Sequence, residues 1–174
     1  MSAFYVIVRG PLGVGKTTVA RALAKAIGAT YISIDRILEE RDLEEWAGGY
    51  ISEEALRRAN VFAADEARTI LEVRRPVIVD GNFYWRSQIE DLESRLRYPH
   101  AIVKLEAPLE VCVERDAMRE VSLGREGAEM VYAKSLECGQ GIPVPATGSV
   151  RETLRWIVEH VVRKTLPDGR FFSQ

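Results

Sequence analysis

Three glycines, a lysine and a threonine near the N-terminus stand at the spacing of a phosphate-binding loop. Residues 10–17 fit the pattern G-x-x-x-x-G-K-[ST] at every fixed position; they read Gly10-Pro11-Leu12-Gly13-Val14-Gly15-Lys16-Thr17, and Thr18 follows. The glycines allow successive backbone N–H groups to turn towards one anion. In this pattern Lys16 would reach the β- and γ-phosphates, and the Thr17 hydroxyl would be a ligand of Mg²⁺. The motif predicts a nucleoside triphosphate site; ATP is expected, and the loop by itself does not exclude GTP.

The segments around the loop are those that such a motif requires. An apolar run at residues 4–8 predicts a buried strand before the loop, and Val19, Leu23 and Ile27 predict the apolar stripe of a helix after it. The positive end of that helix would point at the bound phosphates. This context argues against the alternative, a glycine-rich turn that binds nothing.

A carboxylate follows a second apolar run. Residues 77–79 predict a strand that ends at Asp80 and Gly81. In phosphoryl-transfer enzymes with this loop, a carboxylate at such a strand end holds Mg²⁺ directly or through water. Asp80 is therefore the predicted metal partner of Thr17. The alternative is an ordinary strand-ending turn, which Asp-Gly pairs often form.

Another carboxylate, Asp35, follows the predicted strand at residues 30–34. Ligands of open parallel sheets bind in the crevice outside the carboxyl ends of the strands. A carboxylate there can orient an attacking hydroxyl or accept its proton. Asp35 could instead be the N-cap of a helix predicted over residues 36–46, a position that aspartate favours.

Two arginines form the third predicted cluster of the site. Arg115 and Arg119 are four positions apart and would share a helix face, and Arg125 follows them. They lead into a charged segment interrupted by glycines, at about residues 116–138, which is predicted to close as a lid. Arginines that arrive on closure would neutralise the transferring phosphoryl group and exclude water. The alternative is a solvated helix face paired with neighbouring acidic residues.

The acceptor side of the crevice has weaker candidates. Phe83 and Tyr84 follow the third strand and are predicted to line it, although bulky residues there could instead anchor the next helix in the core. Arg36 and Arg86 are candidates to contact an anionic substrate. The turn at residues 145–149 is the predicted binding site of an adenine.

Strand and helix signals alternate along the chain, which predicts an α/β fold with a parallel sheet covered on both faces. The predicted strands are residues 4–8, 30–34, 77–81 and 101–105, with a weak edge strand near 142–146 that contains two prolines. The predicted helices are residues 18–27, 36–46, 52–75, 87–97, one from Pro108 to the break at 124–127, 128–137, and one from the capping box at 149–152. The tail from Pro167 is predicted to be frayed.

Length and composition limit the possible classes. The 174 residues suit a single domain, 1–174, and a net charge of −2 with a sequence pI of about 5.8 gives no general attraction for nucleic acid or anionic membrane. Two cysteines without a C-x-x-C pair, and two histidines, argue against a disulfide framework or a zinc site. A reducing cytoplasm is the expected location. The sequence contains no apolar run long enough to span a membrane.

These residues resemble those of the P-loop small-molecule kinases related to nucleoside-monophosphate, shikimate and adenylylsulfate kinases. The similarity is most specific at residues 10–18 with Asp35, and at residues 107–116, which resemble the stretch leading into the lid of adenylylsulfate kinases. The resemblance implies ATP, Mg²⁺, a three-layer fold with a five-stranded sheet of order 2-3-1-4-5, and γ-phosphoryl transfer to a small acceptor. It also implies that Arg115 and Arg119 are lid arginines near the adenine or phosphates.

The chain departs from those families at residues 80–85, so the resemblance does not identify the acceptor. At these residues the chain looks more like the poorly defined kinase-like ATP-binding proteins that are grouped with those families. One competing hypothesis is a nucleotide-controlled switch or ATPase, although no Asn-Lys-x-Asp guanine signature follows the fourth strand. Another is a polynucleotide 5′-hydroxyl kinase, in which arginine pairs on helix surfaces would bind nucleic acid. Those pairs are Arg57-Arg58, Arg74-Arg75 and Arg95/Arg97.

Overall fold

Seven strands and seven helices follow one another in the computed structural model, which describes residues 3–163. The tail predicted from Pro167 lies outside the described residues. The strands are β1 Tyr5–Arg9, β2 Thr30–Ser33, β3 Trp46–Ala47, β4 Tyr50–Ile51, β5 Val77–Asp80, β6 His100–Glu106 and β7 Ile142–Pro145. The helices are α1 Lys16–Ile27, α2 Ile34–Glu40, α3 Glu53–Glu72, α4 Arg86–Leu96, α5 Leu109–Ala117, α6 Gly124–Glu137 and α7 Val150–Ile157, the last continued by a wider π-helical turn at Val158–Val162.

Five strands form one sheet in the order β2-β5-β1-β6-β7, and every neighbouring pair is parallel. Counted along the chain within this sheet, the order is 2-3-1-4-5, and the predicted α/β fold is confirmed. β1 is the central strand, and all five of its residues are buried. β7 lies at the edge, where a proline removes no hydrogen bond that a central strand would need.

Two apolar clusters cover the two faces of the sheet. Tyr5 and Ile7 of β1 pack in the cluster that contains α3 and α4, whereas Val6 and Val8 pack in the cluster that contains α1 and α7. This alternation follows from the two-residue period of a strand. No helix among residues 3–163 has the length and apolar character needed to cross a bilayer.

The predicted helix over residues 36–46 is wrong in its second half. α2 ends at Glu40, and β3 and β4 then form a small antiparallel hairpin. Gly48 and Gly49 have φ values of 66° and 89°, the left-handed pair that a two-residue hairpin turn requires. These two glycines therefore form the turn of the hairpin.

The predicted break at residues 124–127 is also wrong, because α6 begins at Gly124 and continues through Gly127 to Glu137. A glycine inside a helix costs about 1 kcal/mol relative to alanine. Burial of Ala128 and Val131 on the next turn offsets that cost. Two other boundaries agree with prediction: Ser52 caps α3, and Ser149 with Glu152 forms the capping box of α7.

A buried arginine at the end of β1 ties the sheet to α6, and the sequence analysis did not identify it. Arg9 is fully buried, and its guanidinium donates to backbone carbonyl oxygens instead of a carboxylate. The acceptors are the carbonyls of Phe83, Ser135, Cys138 and Gln140, at 2.9–3.0 Å. Burial lowers the pKa of Arg9 from its ordinary value. Each of these carbonyls would otherwise need another donor, so Arg9 holds the C-terminal end of α6 beside the sheet.

We predict that Arg9→Met lowers the free energy of unfolding by about 3–5 kcal/mol, because four carbonyl oxygens lose their guanidinium donor. Denaturant melts of the full chain measure this change. Arg58→Met is the matched control, since Arg58 is exposed on α3; its effect is expected within about 0.5 kcal/mol. Equal stability of the two variants would contradict the anchoring role of Arg9.

Candidate active site

The phosphate-binding loop connects β1 to α1, and its backbone leaves space for an anion at the start of the helix. Gly15 is the N-cap of α1 with φ of 98°, and no side chain caps the N–H groups of the first turn. A Cβ built on Gly15 would meet no atom within 4 Å, whereas one on Gly13 would collide with the carbonyl oxygen of Cys112. The loop is therefore open at the helix end and packed closely against α5 behind it. Open helical N–H groups of this kind bind phosphate.

Lys16 lies along the loop instead of pairing with an acid. Its Nζ donates to the carbonyl oxygen of Pro11 at 2.9 Å, and the side chain is only 7% exposed. Burial lowers the pKa of Lys16, and the carboxylates of Asp80 and Asp35 partly offset that effect. A cation held in this way beside the open N–H groups adds to the attraction for phosphate.

Asp80 and Thr17 are brought together as the sequence predicts. Oδ2 of Asp80 accepts from Oγ1 of Thr17 at 2.8 Å and from the Tyr31 hydroxyl at 2.9 Å. The other oxygen, Oδ1, is buried without a hydrogen-bond partner, and the residue is 2% exposed. An unpaired buried carboxylate oxygen is costly unless something occupies the position next to it.

These oxygens fit the requirements of Mg²⁺. The ion prefers hard oxygen ligands and keeps several waters and phosphate oxygens, so that one or two protein groups are enough. Within residues 3–163 no cluster of three or more His, Cys, Asp or Glu side chains could enclose a metal on its own. The oxygen ligands of Thr17 and Asp80 therefore suit a Mg²⁺ ion that binds together with a phosphate.

Asp35 lies in the first turn of α2, and the alternative that it caps this helix is wrong. The N-cap is Ser33, whose Oγ accepts from the N–H of Arg36 at 3.2 Å. The Asp35 carboxylate instead lines a cleft of about 460 Å³ together with Lys16 and Thr17. The Asp35 side chain is exposed to water, but the walls of the cleft surround most of it, and this burial raises its pKa above the ordinary value. The Lys16 ammonium lowers that pKa, whereas the Asp80 carboxylate raises it further.

Arg115 and Arg119 both line this cleft. Nη1 of Arg115 donates to the carbonyl oxygen of Val14 at 3.2 Å and to that of Ala146 at 2.8 Å. It therefore links the phosphate loop to the turn before α7. Arg119 lies beyond the end of α5 and pairs with the buried Asp116 at 3.2 Å, so the two arginines do not share one helix face.

Arg125 stays outside the cleft. It pairs with Glu110 at 2.7 Å and with Glu129 at 2.9 Å on the protein surface. This arrangement is the solvated, ion-paired face that was the alternative prediction.

Among the arginine pairs predicted for nucleic-acid binding, Arg57 and Arg95 both form ion pairs with Asp91.

A smaller cavity of about 250 Å³ lies on the other side of Arg115. It is lined by Val14, Thr18, Ala146 and Gly148, among others. It thus borders the loop at one end and the turn at residues 145–149 at the other. Its position and its apolar walls suit a planar base whose phosphates extend into the first cleft.

The four predicted acceptor-side residues are placed differently from expectation. Phe83 is fully buried in the core. The hydroxyl of the buried Tyr84 accepts a hydrogen bond from the backbone N–H of Ile51 and donates one to its carbonyl oxygen. Arg36 pairs with Glu40 and Glu66, and Arg86 pairs with Glu90. The prediction that these aromatic rings line the crevice is corrected, because both rings pack in the core.

Asn82 is the residue in the cleft that the sequence analysis missed. It lines the cleft with Asp35 and Lys16, and its side-chain amide makes no hydrogen bond within the described part of the chain. The available signal was its place two residues after the strand-ending Asp80, in a segment that otherwise contains bulky groups. A free amide there can both donate to and accept from a ligand hydroxyl.

Comparisons with known proteins identify the family of the chain and its fold. The model of a family described as AAA domain matches residues 6–134, which include the loop, Asp35, Asp80 and both arginines of the cleft. No curated protein matches the chain as a relative.

Solved structures resemble the chain over nearly its whole length. A gluconokinase from Sinorhizobium meliloti 1021 has a TM-score of 0.76 and 20% identity, with 94% of both chains covered. A sugar kinase from Janibacter sp. HTCC2649 has a TM-score of 0.78 and 16% identity, with 100% of both covered. A shikimate kinase from Acinetobacter baumannii, solved with shikimate, has a TM-score of 0.62 and 19% identity, with 96% of this chain and 97% of that one covered. At these identities the likeness shows the fold, and the expected resemblance to P-loop small-molecule kinases is confirmed at that level.

We predict that Asp80→Asn weakens Mg²⁺-dependent binding of ATP by about 10–100-fold, because the carboxylate next to the metal position loses its charge. Binding of ATP in the presence of EDTA should change little, since the amide oxygen can still accept from Thr17. Calorimetric titrations with and without Mg²⁺ measure both values. Asp65→Asn, at an exposed position of α3, is the control. An unchanged affinity for Mg²⁺–ATP would exclude the metal role of Asp80.

Proposed function

Because the chain belongs to the AAA domain family and has the fold of P-loop small-molecule kinases, we propose that it is a kinase that transfers the γ-phosphoryl group of ATP to a small acceptor. The observation that carries this proposal is one cleft that contains three unlike groups. Lys16 supplies positive charge, Thr17 donates to Asp80, whose other carboxylate oxygen is unpaired, and Asp35 adds a carboxylate to the lining of the same cleft.

The loop would hold the triphosphate and the smaller cavity the base. Backbone N–H groups at the start of α1 and the Lys16 ammonium bind the β- and γ-phosphates. When bound through Thr17 and Asp80, Mg²⁺ would neutralise the charge that develops on the phosphate oxygens. Arg115 donates to the loop and to the 145–149 turn and lines both spaces, which supports the proposal that it contacts the base and the phosphates.

Asp35 would act on the acceptor. A hydroxyl oxygen of the acceptor attacks the γ-phosphorus, the bond from that phosphorus to the bridging oxygen breaks, and ADP leaves. The hydroxyl proton passes to the Asp35 carboxylate, which later releases it to solvent. The raised pKa of Asp35 suits this task, because a more basic carboxylate accepts a proton more readily.

Arg119 and the segment at residues 116–138 would complete the site. Arg119 is half-exposed beyond α5 and lines the cleft, so its guanidinium can reach the transferring phosphoryl group without crossing the core. The segment contains the end of α5, which rests on the loop, and all of α6. Closure of this lid over the cleft would exclude water, which otherwise competes with the acceptor.

The proposal predicts that ATP consumption by the full chain rises only when an acceptor is added, with the label of [γ-³²P]ATP in the acceptor. A panel of nucleosides, nucleotides, sugars, oligonucleotides and antibiotics tests this. Lys16→Met is the negative control, because it removes the phosphate-binding cation. Label released only as inorganic phosphate, at a rate that no member of the panel changes, would favour an ATPase or switch. Label on oligonucleotide ends would favour a polynucleotide kinase.

We predict that Asp35→Asn lowers kcat by about 10²–10⁴-fold, because the amide cannot accept the proton. The Kd of ATP should stay within about twofold, since Asp35 makes no hydrogen bond to the loop within residues 3–163 and is proposed to contact the acceptor. Asp42→Asn is the matched control: Asp42 is exposed and has φ of 52°, which asparagine also tolerates. Equal loss of kcat and of ATP affinity in Asp35→Asn would mean that the residue is structural.

A further inference from the structure

The cations close to the acceptor side are already occupied. Arg36, next to Asp35, pairs with Glu40 at 3.7 Å and Glu66 at 3.6 Å. Arg86, at the start of α4, pairs with Glu90 at 2.8 Å. Neither arginine lines the cleft that contains Asp35. An anionic acceptor in this cleft would therefore gain no counter-ion from Arg36 or Arg86.

Lys134 of α6 is also occupied. Its ammonium pairs with Glu137 and lies 3.7 Å from the centre of the Trp85 ring, and the residue is nearly buried. A cation against an aromatic face and a carboxylate has both of its favourable partners already. It therefore offers little free charge to a ligand in the cleft.

The groups that remain free towards the acceptor are neutral or acidic. The carboxylate of Asp35 and the amide of Asn82 line the cleft, and neither makes a hydrogen bond within residues 3–163. Glu44, an exposed residue between α2 and β3, lies near enough to raise the pKa of Asp35 further. Carboxylates accept hydrogen bonds from hydroxyl and ammonium groups, and an amide both donates and accepts.

The positive charge that lines the cleft comes from three side chains that are also proposed to bind the triphosphate. Lys16 and Arg119 are its cations besides Arg115, whose guanidinium is fixed on two carbonyl oxygens. A bound triphosphate would use the charge of all three. An acceptor with its own carboxylate or phosphate would then face Asp35 and Glu44 without a counter-ion, and like charges at an interface oppose binding.

We propose, on the premise of the kinase function above, that the acceptor is an uncharged or positively charged compound with several hydroxyl groups, such as a sugar, polyol or amino sugar, and not a carboxylic acid or a phosphate ester. Asn82 and Asp35 select it by hydrogen bonds to neighbouring hydroxyl groups. The carboxylate of Asp35 in the cleft disfavours a second negative charge beside it, and Glu44, which is near Asp35, adds to this. Asn82 is thus a positioning residue for the acceptor, and Glu44 a determinant of its charge.

Matched acceptors test this inference with the full chain, Mg²⁺ and labelled ATP. Several carbon skeletons are offered, each as alcohol, amine and acid; glucose, glucosamine and gluconate form one set. The expected result is a kcat/KM at least about tenfold higher for the alcohol or amine than for the acid of the same skeleton. Preference for the acid would overturn the inference and leave the kinase function intact. Label transferred to water alone, in every set, would overturn the kinase function itself.

A charge reversal separates the role of Glu44 from a general effect. Glu44→Lys should raise kcat/KM for the acid relative to the alcohol by about tenfold, with an unchanged KM for ATP. Glu45→Lys, at the next exposed position, is the matched control and should leave the ratio unchanged. Asn82→Ala should raise KM for the acceptor without altering KM for ATP, whereas Asn82→Gln should restore part of the effect. Equal ratios in the two lysine variants would contradict the role of Glu44, and an Asn82→Ala effect on ATP alone would contradict that of Asn82.

Discussion

The parallel register of the central strands is the constraint on which the site depends. β5 lies between β2 and β1, with Asp80 paired in register to Val8 on one side and Ser33 on the other. The three strands therefore end at the same level, and the segments that follow them enter one edge of the sheet. The phosphate loop follows β1, α2 with Asp35 follows β2, and Asn82 follows β5. The register of the strands therefore brings these groups to one cleft.

Local patterns were enough to predict much of this arrangement. The loop motif needs a strand before it and a helix after it, and short apolar runs at regular intervals identify the other strands. Asp80 could be paired with Thr17 because a strand-ending carboxylate and a loop threonine must meet when their strands are neighbours. The sequence also indicated β7 correctly as an edge strand, since its prolines are compatible only with such a position.

The remaining features depend on contacts between distant segments. The carbonyl groups that accept hydrogen bonds from the Arg9 guanidinium lie 74 to 131 positions away in the chain, so no local sequence pattern predicts them. Phe83 and Tyr84 pack in the core because the chain turns inward after β5, with φ of 45° at Phe83, and this turn leaves Asn82 in the cleft. The hairpin after α2 was missed because its strands have only two residues each, too few for an alternating pattern.

The buried guanidinium at the end of β1 has a mechanical consequence. It clamps the carbonyl groups of Ser135, Cys138 and Gln140, and so it immobilises the last turn of α6 and the residues that lead to β7. The first turn of α6 is instead tied to α5 by the exposed ion pair of Arg125 with Glu110, and it follows an exposed stretch that includes Met118 and Val121. α6 is thus held at its C-terminal end by buried hydrogen bonds and at its N-terminal end by an ion pair that solvent screens, so the two ends differ in the strength of their attachment.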